Sequence, residues 1–268
     1  MNTKNKKPVT PVTKPFLTGG VTDEGTWKSA LGFLGLIAII AFMTFLVCSM
    51  TGFDSMLLRL AVNGAVIVMV AVIFYNQGMG KGTEAVARGE TMYQRKEKGL
   101  PVSDSEVRMC FHPAKGFVVG LIGTAPLLVI ALVLAVTAQK TTTGYGVLPA
   151  WVSAYMGRSE VGDALVAYTQ AESLGVTDIL RIIVRILIMP WVSIIGSSDR
   201  TAMLWLERLS PLILLIPTAA YGIGYLQGKR VRSQILTDIS ENAKKRRKRE
   251  QKARKKRMAV RRGPEQLN

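Results

Sequence analysis

Apolar positions along this chain fall in blocks rather than at a steady helical or strand period. Residues 31–50 are uncharged and mostly apolar, and 56–75 are apolar except for Arg59 and Asn63. Two further blocks follow at 116–138 and 209–227. A helix of about 20 residues rises about 30 Å, the thickness of a bilayer's hydrocarbon core. The pattern predicts an all-α, polytopic integral membrane protein with four transmembrane helices.

A fifth apolar stretch, 180–196, does not fit that count. Asp178, Arg181 and Arg185 fall on one helical stripe, and beyond Arg185 the uncharged run before Ser197 is only about 16 Å of helix, half a membrane. We expect an amphipathic helix on the outer side, lying at the interface or re-entering, with Pro190 bending it and Trp191 at headgroup depth.

Charge placement explains why the count of full spans should be even. The formal net charge of +17 is segregated, and most of it lies in 244–262, KKRRKREQKARKKRMAVRR, where Glu250 is the single acid. Such a segment is held in the cytoplasm and fixes the orientation of the spans before it. Three domains follow: a disordered cytoplasmic arm at 1–30, a membrane domain at 31–228 and a polybasic cytoplasmic tail at 229–268. Both termini are expected in the cytoplasm and the plasma membrane is the expected location. The loop 76–115 is rich in Lys and Arg and belongs inside, with a short helix at 83–98 stopped by Gly99-Leu100-Pro101. The segment 139–178 is poor in positive charge, carries Trp151 and Tyr155, and suits the outer side.

The candidate binding residues of the tail are Lys244, Lys245, Arg246, Arg247, Lys248, Arg249, Lys252, Arg254, Lys255, Lys256 and Arg257. A helix started by Asp238 or Ser240 as N-cap would carry these on all faces, so membrane attachment would be electrostatic, at roughly 1 kcal/mol per basic residue near an anionic surface. The expected partners are membrane lipids, RNA including a ribosome, or an acidic protein, with strong salt dependence. No aromatic residue interleaves the run, so base stacking is not expected.

A second candidate site lies in the membrane domain. Arg59, Arg181 and Arg185 sit near helix ends, where snorkelling to the interface is the simple reading. The alternative is that the three converge and line a path for an anion or lipid headgroup, which would make the protein a transporter or channel component, or one subunit of a larger membrane complex.

Other motifs carry less. NQGMGKGT at 76–83 lacks the P-loop order, since Gly82 separates Lys81 from Thr83, and reads as a flexible exit from the membrane. TTGYG at 142–146 is similar to the potassium-channel filter, but the long helix before it leaves no room for a pore helix and Lys140 would place a cation beside the pore. Gly116 and Gly120 stand at GxxxG spacing, which would suit a close helix contact. Cys110 and His112 supply two metal-ligand types where a site needs three or four. Cys48 follows Val47 rather than the small residue a lipoprotein site wants. We expect no catalytic residues, no metal site, no cofactor and no enzymatic activity.

Overall fold

The structure is a computed structural model and describes residues 12–50, 53, 55–138, 176–196 and 199–261. Every regular element among the described residues is an α-helix. In chain order these are α1 (Thr26–Met50), α2 (Met56–Glu97), α3 (Asp104–Arg108), α4 (Lys115–Thr137), α5 (Val176–Leu187), α6 (Met189–Ile195) and α7 (Arg200–Arg261). Four of them, α1, α2, α4 and α7, are long and apolar enough to cross a membrane, and they coincide with the four blocks of the sequence. Their outward faces leave Phe42, Val68, Val129 and Leu212 exposed, a surface suited to lipid rather than water.

The four long helices run alternately up and down, so one end of the bundle gathers the N-terminal segment and the end of α7, here called the tail side. The opposite end is the hairpin side. The most extensive helix contact is between α2 and α7. It is made by glycines: a methyl group at Gly78 would lie 2.0 Å from the carbonyl oxygen of Tyr221, and one at Gly224 would lie 2.0 Å from that of Tyr75. Gly82 and Gly228 repeat the arrangement one turn on, which lets the two backbones touch. The Gly116 and Gly120 pair of α4 does similar work, facing Tyr225 and Thr218 of α7.

This packing corrects the reading of 76–83 as a flexible exit. The helix α2 runs unbroken through NQGMGKGT to Glu97, and then stops as expected at Gly99, whose φ is 69°. At about 1.5 Å per residue its 42 residues reach far past a hydrocarbon core of about 30 Å. The tail also differs from expectation. No new helix begins at Asp238 or Ser240, because α7 is one helix of 62 residues that passes Pro211 and Pro217 and carries straight on.

Residues 180–196 form neither a span nor a surface helix. They divide into α5 and α6 at Ile188, with Pro190 in the first turn of α6. Val184 and Ile188 are fully buried among Ala131 and Leu134 of α4 and Met203, Leu206 and Leu214 of α7. Leu187 reaches the cluster of Phe33, Ile37, Phe74, Val119 and Tyr221 in the middle of the bundle. Gly196, at the far end of α6, is back beside Arg59 in the first turns of α2. The pair is therefore a re-entrant hairpin that dips into the bundle and returns to the side it came from.

On the tail side, residues 12–25 depart from the disordered arm expected for 1–30; residues 1–11 lie outside the described residues. The segment runs extended across the bundle end, with Leu17 N–H donating to Gly89 O at 3.1 Å and Gly19 N–H to Phe111 O at 2.9 Å. Phe16 stacks edge-on against Phe111, which lies parallel to Tyr225. Val12 N–H reaches the hydroxyl of Thr237 on α7, so the N-terminal segment and the tail lie on the same side. Thr26 and Asp23 then bond reciprocally to start α1 before the predicted residue 31.

Candidate functional site

The polar residues of the membrane domain resolve into two places. Arg181 and Arg185, four apart on α5, both turn towards α7 and meet one carboxylate. Arg181 Nε lies 3.0 Å from Glu207 Oε2, and Arg185 contacts Glu207 Oε1 through Nε at 2.9 Å and Nη2 at 2.6 Å. Asp178 adds a 3.6 Å contact to Arg181. Glu207 is 2% exposed, so the charges compensate one another away from water. The cluster ties the re-entrant hairpin to α7.

Glu207 is not singled out by the sequence alone, because it lies just before the apolar block 209–227. Its signal was present: Met203, Leu206, Ser210 and Leu214 recur at helical spacing and are all buried, and Glu207 falls on that same stripe.

Arg59 is elsewhere. Its guanidinium lies against the backbone of Gly196, where a methyl would sit 2.2 Å from Nη1. Gly196 has φ 77°, so glycine is needed there twice, for conformation and for room. Arg59 is half-buried rather than snorkelled free, and Nε has no hydrogen-bond partner among the described residues. One turn on, Asn63 is fully buried; its amide donates to Arg59 O at 2.9 Å while Oδ1 is unsatisfied. Arg181 and Arg185 thus come together, and Arg59 does not join them on Glu207.

Below Asn63 an apolar crevice of about 70 Å³ opens between α1, α2, the hairpin and α7. Ile40, Ile67, Ala71, Pro190 and Trp191 line it, and Ile216 at its edge is 39% exposed.

On the tail side α2 and α7 continue together. Arg232 forks onto Glu90, with Nη2 2.7 Å from Oε2, and this hydrogen bonding raises the guanidinium pKa above its usual range. Asp23 and Lys115 form a buried pair. Burial raises the Asp23 pKa, but hydrogen bonds from Lys115 and Thr26 outweigh it and leave the carboxyl below its usual range. Among the described residues, Leu236 is the last buried apolar side chain of α7. Beyond it, Lys244, Lys245, Arg246, Arg247, Lys248, Arg249, Lys252, Arg254, Lys255 and Arg257 are all exposed on one helix, with Arg246 and Glu250 paired along its surface; the side chain of Lys256 is not described.

Cys110 is buried and free, and burial pushes its thiol up. His112 Nδ1 accepts from Ala114 N–H in the turn before α4. Among the described residues no cluster of His, Cys, Asp and Glu could hold a metal ion. The filter-like 142–146, with Trp151 and Tyr155, lies outside the described residues.

No known protein family, curated protein or solved structure matches this chain. The class is therefore given by the fold itself: among the described residues, four helices long and apolar enough to cross a membrane, around a re-entrant hairpin, the pattern of a multi-pass integral membrane protein.

Proposed function

We propose that this is a non-enzymatic multi-pass protein of the plasma membrane, with both termini in the cytoplasm, whose basic α7 end is an electrostatic docking arm for RNA. One observation carries this reading: α7 continues without a break from its apolar part into an exposed basic helix. The positive-inside rule assigns that end to the cytoplasm.

Of the three partners that charge alone allows, RNA is the one we favour on physical grounds. Lys244 lies 17 residues past Gln227, about 25 Å along a continuing helix and beyond the Debye length of about 8 Å. Lipid headgroups are therefore screened from most of the run. An acidic protein would normally be held by buried anchor residues, and between 241 and 258 the tail offers only Ala243, Ala253 and Met258. RNA presents phosphates to every face and needs no apolar anchor. A transport role for Arg59, Arg181 and Arg185 has less support, since the last two are paired on Glu207.

Crosslinked purification in mild detergent, with and without ribonuclease, tests the reading. RNA should be recovered with the full chain and lost on deleting 244–262. Recovery of no RNA, or of an acidic protein that persists after ribonuclease, would contradict it.

A further inference from the structure

The hairpin side carries a second recognition feature that does not depend on the tail. Arg59 has no salt-bridge partner among the described residues, unlike Arg181, Arg185 and Arg232, each of which is held by a carboxylate. Its Nε is nevertheless withdrawn from solvent without a hydrogen bond, and so is Oδ1 of Asn63 one turn deeper. A buried donor and a buried acceptor without partners on successive turns are costly, and a ligand that satisfies both removes the cost.

The surroundings restrict what that ligand is. Arg59, Asn63 and Ile67 follow one another at single-turn intervals down α2, from its start to the apolar crevice. The other wall is α6, which packs against α2, with Gly196 beneath the guanidinium and Pro190 and Trp191 in the crevice. A cation at the level of the helix ends, a hydrogen-bond acceptor below it and an apolar slot running inwards match, in order, a phosphodiester, the free glycerol hydroxyl of a monoacyl phospholipid and its acyl chain. The crevice is open at Ile216, on the lipid-facing surface, so the occupant enters sideways.

We propose that α2 and the re-entrant hairpin form a binding site for one monoacyl phospholipid, its phosphate on Arg59, its free glycerol hydroxyl donating to Asn63 Oδ1 and its acyl chain in the crevice lined by Ala71 and Trp191. A free phosphate would use only the upper part of this site, and an uncharged monoacylglycerol only the lower part. Glycine at 196 is then a device for holding the guanidinium at the phosphate's level, because any side chain there would displace it.

Native mass spectrometry of the delipidated full chain, titrated with lysophosphatidylglycerol, diacyl phosphatidylglycerol, monoacylglycerol or inorganic phosphate, tests the site. Lysophosphatidylglycerol should bind at one per chain, at least tenfold tighter than any of the others. Arg59→Gln and Ala71→Phe should each weaken it about tenfold or more, and Arg59→Lys should recover part of the loss. Neutralising the tail should leave this single site intact, which separates it from the RNA reading. Melting temperatures of the Arg59 variants establish that they are folded. Equal retention by wild type and Arg59→Gln, or binding of inorganic phosphate as tight as that of the lipid, would overturn the proposal.

Discussion

Arg181 Nε lies 3.0 Å from Glu207 Oε2, with both side chains almost entirely buried, and this contact joins the re-entrant hairpin to the longest helix of the protein. Since Arg185 shares the same carboxylate, the consequences of removing each partner are unequal.

Glu207→Ala withdraws the shared carboxylate from the buried Arg181 and the half-buried Arg185 and should cost up to about 3–5 kcal/mol, the usual range for breaking a buried ion pair. Arg185→Met leaves Arg181 on Glu207 and should cost less. Thermal unfolding of the detergent-solubilised chain checks the order. A Glu207 variant as stable as the Arg185 variant would mean that the cluster does not hold the hairpin.

The α2–α7 contact makes a sharper contrast within one helix. A methyl group at Gly78 meets the Tyr221 carbonyl, whereas at Gly80 it meets nothing within 4 Å. Gly78→Ala should destabilise by at least the roughly 1–3 kcal/mol of overpacking, and Gly80→Ala should be neutral or stabilising. Monodispersity on size exclusion and melting temperature read both outcomes.

Asp23 gives the bundle a pH dependence on the tail side. Its carboxyl is held below the usual 3.8 chiefly by Lys115 and Thr26, against the opposing effect of burial. Because the folded value is depressed, the stabilisation is complete above the unfolded value and is lost as pH falls through the lower folded one. The melting-temperature gap between wild type and Asp23→Asn should hold constant through neutral and mildly acidic buffers, then close below pH 3.8. Lys115→Met, which leaves Asp23 buried and uncompensated, should cost about 3 kcal/mol at neutral pH.

The parts of this fold that were legible in the sequence are those fixed by the solvent. Four apolar blocks gave four helices of spanning length, and the shortness of the uncharged run after Arg185 separated the hairpin from them. What was not legible depends on contacts between distant segments. Gly78 and Gly82 look like flexibility when only their neighbours are considered, but opposite the carbonyls of Tyr221 and Tyr225 they are the condition for close packing. Residues 12–25 have too few apolar side chains to announce an element, and are placed by hydrogen bonds to Gly89, Arg108 and Phe111. For the candidate sites, the three arginines were visible as unusual charges. Their division into a pair on Glu207 and a single one on Gly196 was not, because it follows from the turn at Ile188 that sends α6 back to α2.

The claim that the exposed basic end of α7 docks RNA is tested most directly by the salt dependence of binding. The full chain, held in nanodiscs of uncharged lipid, should bind structured RNA with an affinity that falls linearly with salt on logarithmic axes. Each phosphate contact contributes a slope of about −0.7 to −0.9. Replacing Arg246, Arg247, Lys248 and Arg249 by Gln should weaken binding and flatten that slope by up to about four such contacts. Binding that is absent at low salt, or whose slope is unchanged in the variant, would contradict the account.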